Sequence, residues 1–332
     1  MKKTEQFEHV ELGFFPTPLE SLTRFGADLG IELAIKRDDY TGFGGGGNKV
    51  RKLEYLMADA CRQGIDVVIT TGGHQSNHAR MVAAAARKFG MKPVLVLRGN
   101  PPETYQGNLL LDKLFGAELE FLDPDGYFTQ IVDAMQAHAD AATARGEKAL
   151  IIPLGGATPL GALGYVRAVE ELYAQLKARG QRPPDVIVAP TGSGGTLAGL
   201  LVGARQYWPQ TKIVGISVSA KAQWFQDRIS TMAQDCADLL EWPQQWTPED
   251  IWIEDEFVGT AYGVPSEGGI EAIYRVAQAE GVLLDPVYTG KAMHGLISLV
   301  EQGKIEQGAR VIFVHCGGSP ALYPFAQKLL EH

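Results

Sequence analysis

The chain has 332 residues, of which 45% are hydrophobic and 21% are charged, which is the composition of a soluble globular protein long enough for two lobes. Its formal net charge of -9 leaves no basic excess to neutralise phosphates, which argues against nucleic acid as a partner. No segment approaches the roughly 18 apolar residues that a membrane span requires. The three cysteines, Cys61, Cys236 and Cys316, indicate a reducing cytoplasm and give no disulfide or zinc framework. Residues 1–6 are not followed by an apolar run, so no secretory signal is expected.

A glycine-rich loop opens the first predicted helix. Residues 44–47 are four glycines, followed by Asn48 and Lys49. Glycines let a ligand approach the backbone, and a lysine there can act as a fixed cation or as an amine nucleophile toward a carbonyl compound. A nucleotide-binding P-loop needs the lysine directly after the last glycine and then a hydroxyl residue, whereas here Asn48 intervenes and Val50 follows. A flexible loop with a solvated lysine is the remaining interpretation.

Predicted strands and helices alternate along the rest of the chain. Strands are predicted at residues 67–70, 93–97, 118–122, 185–189, 212–216 and 310–314, and helices at 77–89, at 107–115 and from about 196 to 207. Strands separated by helices indicate βαβ units and parallel sheets. Continuous apolar strands indicate helices on both faces of each sheet.

The turn after the strand at 67–70 is polar. Residues 72–78 read Gly-Gly-His-Gln-Ser-Asn-His, and their backbone N–H groups, hydroxyl and amides suit a carboxylate. His74 and His78 are four residues apart, but a third ligand and an H-E-x-x-H motif are missing. No metal site is therefore predicted.

A second glycine-rich turn, Thr191-Gly192-Ser193-Gly194-Gly195-Thr196, lies between a predicted strand and a predicted helix. Backbone N–H groups at a helix N-terminus attract phosphate. The dinucleotide pattern G-x-G-x-x-G is absent, because Leu197 and Ala198 occupy its later positions. A phosphate monoester therefore fits better than NAD, and a tight turn without a ligand is the alternative.

Three loops near the end of the chain carry further candidates. Tyr262 and Tyr288 lie in loops that also contain glycine and proline, and each can stack on a flat ring or donate a proton. Packing within a turn is the alternative for either tyrosine. Cys316 lies at a glycine-marked strand end, in Val314-His315-Cys316-Gly317-Gly318-Ser319.

Together these segments resemble the fold type II pyridoxal-phosphate (PLP) enzymes, in the branch that holds D-cysteine desulfhydrase and 1-aminocyclopropane-1-carboxylate deaminase. The resemblance extends from Pro16 to Leu322. The matching segments are 35–39 (Ile-Lys-Arg-Asp-Asp), 46–54, 75–78, 160–165, 191–196, 262–265 and 285–291.

The resemblance implies PLP as cofactor and assigns a role to each candidate. Lys49 would bond the cofactor as a Schiff base, with Lys291 as a rival, and Asn77 would bond the ring hydroxyl. The phosphate would lie on Gly192, Ser193, Gly194, Gly195 and Thr196. Tyr288 and Thr289 would lie beside the pyridine ring. The substrate would meet Gln75, Ser76, Asn77, Tyr262 and Cys316, and the residues implied in catalysis are Lys49, Ser76, Tyr262 and Tyr288.

Two positions bear on the substrate. The deaminase branch carries Glu where this chain has Thr289, and a carboxylate there keeps the ring nitrogen protonated and makes a stronger electron sink. Expelling a thiolate needs a weaker electron sink than opening a cyclopropane ring. Thr289 therefore favours β-elimination from D-cysteine or a close β-substituted alanine, giving pyruvate, ammonia and sulfide. The desulfhydrases usually have Thr where this chain has Cys316, so L-cysteate sulfo-lyase and the deaminase stay alternatives.

The resemblance also implies an architecture and an assembly. We expect an α/β protein of the tryptophan synthase beta-like kind, with open, mostly parallel sheets, helices on both faces and the cofactor between two lobes. Residues 51–159 would form the small domain, and residues 1–50 with 160–332 the large PLP-binding domain. A cytoplasmic homodimer that acts on a small amino acid is expected, without nucleic-acid or membrane partners. A noncatalytic amino-acid sensor would not need Lys49, Ser76 and both tyrosines, and an NAD-dependent dehydrogenase is the other alternative.

Overall fold

In the computed structural model, which describes residues 2–331, ten strands form two sheets. The strands are β1 (Leu19–Ser21), β2 (Glu32–Arg37), β3 (Val67–Gly73), β4 (Lys92–Arg98), β5 (Glu118–Leu122), β6 (Ala149–Ile151), β7 (Val186–Thr191), β8 (Lys212–Ser217), β9 (Trp252–Glu254) and β10 (Arg310–His315). The larger sheet has the order β1-β2-β10-β7-β8-β9, and the smaller has the order β5-β4-β3-β6. All neighbouring strands are parallel except β1 and β2, so the predicted parallel sheets are confirmed.

The same residues contain eleven α-helices: α1 (Thr23–Leu29), α2 (Lys49–Gln63), α3 (Asn77–Lys88), α4 (Asn108–Leu114), α5 (Tyr127–Ala144), α6 (Pro159–Ala178), α7 (Gly195–Tyr207), α8 (Ala222–Leu239), α9 (Glu267–Glu280), α10 (Thr289–Glu301) and α11 (Ala326–Leu330). Short 3-10 turns connect several of them. Within residues 2–331, each helix is either too short or too polar to cross a bilayer.

Helices cover both faces of the larger sheet, as its apolar strands predict. On β7, Ile187 packs into a core shared with α6 and α7, whereas Val186 and Val188 face a second core shared with α9 and α10. On β10, Ile312 packs into the core shared with α6 and α7, and Phe313 packs into the core shared with α9 and α10. Successive strand residues point to opposite faces, so a strand that is apolar at every position must be buried on both.

The smaller sheet is also covered on both faces. Val68 packs with α2 and α3, and Val67 and Ile69 pack with α5. All four of its strands come from the segment between Val67 and Ile151. The expected domain boundaries, at residues 51 and 159, stay a prediction.

Candidate active site

A cavity of about 590 Å³ lies between the two sheets. Strands of both sheets end at its wall, where β3 contributes Gly73, β4 contributes Arg98 and β7 contributes Thr191. Ligands of open parallel sheets bind outside the carboxyl ends of the strands, so this cavity is the candidate active site. Ten predicted site residues line it: Lys49, Ser76, Asn77, Gly192, Ser193, Gly194, Thr196, Tyr262, Tyr288 and Cys316.

Lys49 is the first residue of α2, and its side chain lies in the cavity wall. Its Nζ donates to Asn48 Oδ1 at 3.0 Å. Burial lowers the pKa of Lys49, although Cys316 and Asp285 act in the opposite direction. A lowered pKa increases the fraction of neutral amine, which is the nucleophilic form.

The glycine loop before Lys49 is fixed by side chains from elsewhere. Arg80, on α3, donates to carbonyl oxygens of this loop, at 3.0 Å for Gly46. The backbone N–H of Gly47 donates to Thr41 Oγ1 at 2.8 Å. The loop is therefore an ordered support for Lys49, which argues against the interpretation as a flexible loop with a solvated lysine.

A buried ionic network anchors the first turn of α2. Arg51 donates Nε to Asp38 Oδ2 at 2.9 Å and Nη2 to Asp38 Oδ1 at 2.8 Å. The hydroxyl of Tyr165, on α6, donates to Asp38 Oδ2 at 2.6 Å. Burial alone would raise the pKa of Asp38, but the Arg51 guanidinium holds it below its usual value. Asp38 follows β2 directly, so these bonds tie α2 to the larger sheet and to α6.

Lys52 lies on the same helix as Lys49 and reaches the N-terminus of α7. Its Nζ donates to the carbonyl oxygen of Gly155 at 3.1 Å, and a Cβ on Gly195 would lie 2.9 Å from that nitrogen. Burial lowers the pKa of Lys52 well below its usual value, and the charge of Lys49 lowers it further. No carboxylate among residues 2–331 pairs with Lys52. A buried amine without a carboxylate partner favours its neutral form, and an anionic ligand beside it would favour the charged form.

The turn at residues 192–196 lies against Lys52, whose amine approaches Gly195. Its residues lead into α7, whose first N–H groups have no partner within the helix. Arg228 Nε donates to the carbonyl oxygen of Ser193 at 3.2 Å, and Asn48 Nδ2 donates to Thr196 Oγ1 at 3.1 Å. Two cations and a helix N-terminus suit a doubly charged anion such as a phosphate monoester.

Ser76 and Asn77 form the facing wall, at the start of α3. Ser76 caps the helix, with its Oγ accepting from Ala79 N at 3.1 Å. Asn108 Nδ2 donates to Asn77 Oδ1 at 2.9 Å. Because the amide oxygen of Asn77 is used there, its Nδ2 group is the part that can donate to a ligand in the cavity.

Tyr262 and Tyr288 form a pair at the cavity wall. Their hydroxyl oxygens lie 2.5 Å apart, and their rings meet edge to face with centroids 6.0 Å apart. A Cβ on Gly192 would lie 3.3 Å from Tyr288 Cε1, so the Tyr288 ring packs against the anion-binding turn. Burial raises the pKa of both phenols, that of Tyr288 well above its usual value. Both side chains therefore stay protonated near neutral pH.

A profile of the family described as pyridoxal-phosphate dependent enzymes matches residues 10–317. The chain belongs to this family. A D-cysteine desulfhydrase of Yersinia enterocolitica is 42% identical over 331 residues, which cover 97% of each protein. A Pyrococcus abyssi protein whose name proposes 1-aminocyclopropane-1-carboxylate deaminase is 40% identical, covering 98% of this chain and 96% of its own. A crystal structure described as an ACC deaminase homologue matches with a TM-score of 0.89 and 38% identity, covering 98% of this chain and 97% of the other.

The cavity fits PLP, the cofactor of the family. The turn at 192–196 with Lys52 and Arg228 would hold its phosphate, and Lys49 would bond its aldehyde carbon. Tyr288, packed against the phosphate-binding turn, would lie beside its ring. The predicted fold type II architecture is confirmed by the two parallel sheets and by the similar solved structure.

Three predicted site residues lie outside the cavity lining. Gln75 bonds the residue 106–108 segment, with Nε2 donating to Gln106 O at 3.1 Å and Oε1 accepting from Asn108 N at 2.9 Å. Gly195 lies behind the phosphate-binding turn, against Lys52. Thr289 is fully buried, and its hydroxyl donates to Asp285 Oδ1 at 2.7 Å.

Lys291 does not share the cavity with Lys49. It is buried, and its Nζ donates to the carbonyl oxygens of Val258 at 2.6 Å and Ala261 at 3.1 Å. Burial lowers the pKa of Lys291 to about 8. These bonds hold the loop that carries Tyr262, which is a supporting role distinct from that of Lys49.

The two histidines of the 72–78 turn have different surroundings. His78 Nε2 lies 2.8 Å from Thr70 Oγ1, whereas the ring of His74 packs edge-on against Phe121. No group of metal-binding side chains is found among residues 2–331.

Sequence reasoning missed Lys52 and Arg228. Lys52 stands three residues after Lys49, a spacing that places both on one face of a helix, and this signal was available in the sequence. Arg228 lies in the middle of α8, where no pattern separates it from a surface arginine.

Proposed function

We propose that this PLP-dependent enzyme catalyses β-elimination on D-cysteine or a close β-substituted alanine, releasing pyruvate, ammonia and hydrogen sulfide. The observation that carries the proposal is the Thr289–Asp285 pair. Asp285 accepts N–H bonds from Val287, Tyr288 and Thr289 at 2.8–3.0 Å, and it also accepts the Thr289 hydroxyl. By the family resemblance Thr289, whose hydroxyl is bonded to Asp285, would lie behind the cavity wall on the side of the pyridine ring, and the nearby Asp285 carboxylate already accepts four hydrogen bonds.

When bound, PLP links to the substrate amino group and withdraws electron density from Cα. Without a carboxylate at the ring nitrogen this withdrawal is weaker, so it suits a substrate whose β-substituent leaves readily, such as a thiolate. Opening a cyclopropane ring offers no such leaving group. The similarity to D-cysteine desulfhydrases across nearly the whole chain also supports β-elimination of a thiolate over ring opening.

Lys49 is the proposed base. Burial lowers its pKa, which favours the neutral amine, and the neutral amine is the form that would accept the Cα proton. The raised pKa values of Tyr262 and Tyr288 make these phenols poor bases and suit them to donating a hydrogen bond or a proton. Ser76 and the first N–H groups of α3 are the proposed site of the substrate carboxylate.

The first experiment combines a spectrum with an assay. Purified protein is supplied with PLP, its visible absorption is recorded, and pyruvate and sulfide are assayed with D-cysteine, L-cysteine, L-cysteate and 1-aminocyclopropane-1-carboxylate. We expect a visible band of bound PLP that Lys49→Ala removes, and sulfide from D-cysteine. Turnover of L-cysteate or of the cyclopropane substrate instead would overturn the substrate assignment. Lys49→Arg, which keeps the charge but cannot bond the cofactor in the same way, is the matched control.

The division at residues 51 and 159, the homodimer and the cytoplasmic location are part of the proposal. The family resemblance supports the division and the homodimer, and the three widely spaced cysteines support a reducing cytoplasm. Phe14 and Tyr40 are exposed aromatics, at 75% and 53%, and offer apolar surface for a subunit contact. Light scattering on the purified protein tests the dimer, and a monomer at micromolar concentration would contradict it.

A further inference from the structure

Asn108, the first residue of α4, is fully buried beside the turn that begins α3. Its Nδ2 donates twice, to the backbone carbonyl oxygen of Gln75 at 2.9 Å and to Asn77 Oδ1 at 2.9 Å. Its Oδ1 is buried without a hydrogen-bond partner among residues 2–331, so the side chain bonds the turn through its nitrogen alone. Of these three residues, Asn77 is the one that lines the cavity.

Backbone groups fix the direction of this series of amides. The two ends of an amide side chain have nearly the same shape, so the hydrogen-bond partners decide which end faces a ligand. A backbone carbonyl can only accept, so the carbonyl oxygen of Gln75 requires the Nδ2 end of Asn108. That nitrogen can only donate, so Asn77 must present Oδ1 to it. The Nδ2 group of Asn77 is therefore the end that is left for a ligand in the cavity.

The side chain of Gln75 holds Asn108 in place. Its Oε1 accepts from the backbone N–H of Asn108 at 2.9 Å, and its Nε2 donates to the carbonyl oxygen of Gln106 at 3.1 Å. Gly107 lies between these two residues with a φ of 57°, and a Cβ there would lie 2.4 Å from Gln75 Oε1. The approach of Gln75 to this segment thus needs a residue without a side chain at position 107. Neither Gln75 nor Asn108 lines the cavity.

We propose that Asn108, held by Gln75, is a positioning residue that keeps the Asn77 amide with its N–H end toward the ring hydroxyl of PLP. This inference rests on the PLP site of the proposed function and deepens it. It assigns Gln75, which the family resemblance places at the substrate, to the support of the cofactor. An N–H donor stabilises the ring oxygen most when that oxygen is negatively charged, because a hydrogen bond to the charged form of an acid favours that form. A rotated Asn77 amide would present an oxygen to the ring oxygen, and neither could donate to the other.

The test compares PLP with 3-deoxypyridoxal 5′-phosphate, which lacks the ring hydroxyl. Cofactor-stripped protein is titrated with each compound, and binding is followed by tryptophan fluorescence, to which Trp224 in the cavity wall contributes. We expect Asn108→Leu to raise the Kd for PLP by about 3- to 10-fold, the size of one hydrogen bond, and the Kd for the deoxy compound by less than about 2-fold. Asn108→Ser, which keeps one donor, should fall between wild type and Asn108→Leu. Asn100→Leu makes the same change at an exposed position between β4 and α4 and should match wild type.

A double-mutant cycle separates positioning of Asn77 from general packing. If Asn108 acts through Asn77, Asn108→Leu should change the Kd for PLP by less than about 2-fold in a protein that already carries Asn77→Ala. Gln75→Leu should reproduce the loss of PLP affinity seen in Asn108→Leu. It should also leave the binding of D-alanine to the holoenzyme, measured through the visible absorption of PLP, within about 2-fold of wild type.

Four results would overturn the inference. Unchanged PLP affinity in Asn108→Leu would show that the side chain has no effect on the cofactor, and equal losses for PLP and the deoxy compound would show that it only supports the fold. Additive losses in the double-mutant cycle would show that Asn108 acts independently of Asn77. Weaker binding of D-alanine with unchanged PLP affinity in Gln75→Leu would place Gln75 at the substrate. The thermal transition verifies that each variant folds, and Asn108→Ser decides the comparison if Asn108→Leu does not.

The cofactor titration contains no amino-acid substrate, which separates this inference from the proposed function. If wild type releases no sulfide from D-cysteine, the proposed β-elimination fails, and the comparison of PLP with the deoxy compound still decides the role of Asn108. If D-cysteine is turned over and Asn108→Leu binds PLP as wild type does, this inference alone fails.

Discussion

The ε-amine of Lys52 lies against the backbone of Gly195, 2.9 Å from the point where a Cβ on that glycine would stand. This contact joins the helix that carries the reactive Lys49 to the turn that would bind the cofactor phosphate. A side chain at residue 195 would displace the amine, and loss of the amine would leave the phosphate with Arg228 and the α7 N-terminus.

Replacing Lys52 should therefore weaken cofactor binding. We expect Lys52→Met to raise the Kd for PLP by about 10- to 100-fold, which corresponds to the 1.5–3 kcal/mol of a charged hydrogen bond. Titration of the cofactor-stripped protein, followed by the visible band, measures this. Lys113→Met, at an exposed position, is the control, and an equal Kd in the two variants would contradict the assignment.

The tyrosine pair should affect turnover more than cofactor binding. Removing the hydroxyl of a proton donor costs about 100-fold or more in kcat, so we expect a loss of that order in Tyr262→Phe or Tyr288→Phe. The visible PLP band should persist in both variants. Tyr323→Phe, at an exposed tyrosine, should match wild type in kcat. Full activity in both Tyr262→Phe and Tyr288→Phe would show that neither phenol acts in the reaction.

The Asp38–Arg51 pair should dominate local stability. Removing one partner of a buried ion pair costs about 3–5 kcal/mol, and because Arg51 would keep Glu171 as a second partner, we expect the lower end of this range. We expect this loss in the unfolding free energy of Asp38→Ala, measured by urea denaturation. Asp59→Ala, which breaks a more exposed pair with Arg62, should cost less than about 1 kcal/mol. Similar losses in the two variants would show that the Asp38 network does not stabilise the fold.

Asp112 should make stability depend on pH. Burial raises its pKa to about 8, and Arg80 only partly opposes this. Folded Asp112 thus keeps its proton up to about pH 8, whereas the unfolded chain releases it near its ordinary value of about 4. The folded state binds more protons in this window, so this group lowers the unfolding free energy as pH rises from about 4 to 8.

Asp112→Asn removes this titration. We expect the variant to gain stability relative to wild type as pH rises, so its advantage in urea denaturation should be larger at pH 8 than at pH 5. The same difference between the two proteins at both pH values would show that Asp112 does not titrate in this window.

The sequence was sufficient for the parallel sheets and for ten of the residues that line the cavity, because both follow from local patterns. Apolar runs predict the buried strands β3, β4, β7, β8 and β10, and glycine-marked turns predict where their carboxyl ends meet. The strands β1, β6 and β9 were missed because three residues are too few for a periodic signal. β2 was also missed, since it ends in Lys36 and Arg37, which are buried only because Glu171, Asp39 and Glu20 pair with them.

The side-chain partners in the site were less accessible from sequence. Gln75 was predicted to meet the substrate, but its amide is bonded to Gln106 and Asn108, which are about thirty residues away in the chain. In the sequence alone Lys52 resembles a solvated helical lysine, because the burial of α2 between α3 and α6 is not visible there. Such contacts depend on how separate elements pack, which no local pattern records.

Lys49 and Lys52 lie one helical turn apart, Lys49 at the cavity wall and Lys52 buried, and a positive charge on either amine repels the other. A phosphate dianion beside them converts that repulsion into attraction, so cofactor binding and folding are thermodynamically linked. PLP should then raise the melting temperature as well as confer activity. A cell short of the cofactor would lose the protein itself to unfolding and proteolysis, and abundance of the enzyme would follow the supply of the vitamin from which PLP is made.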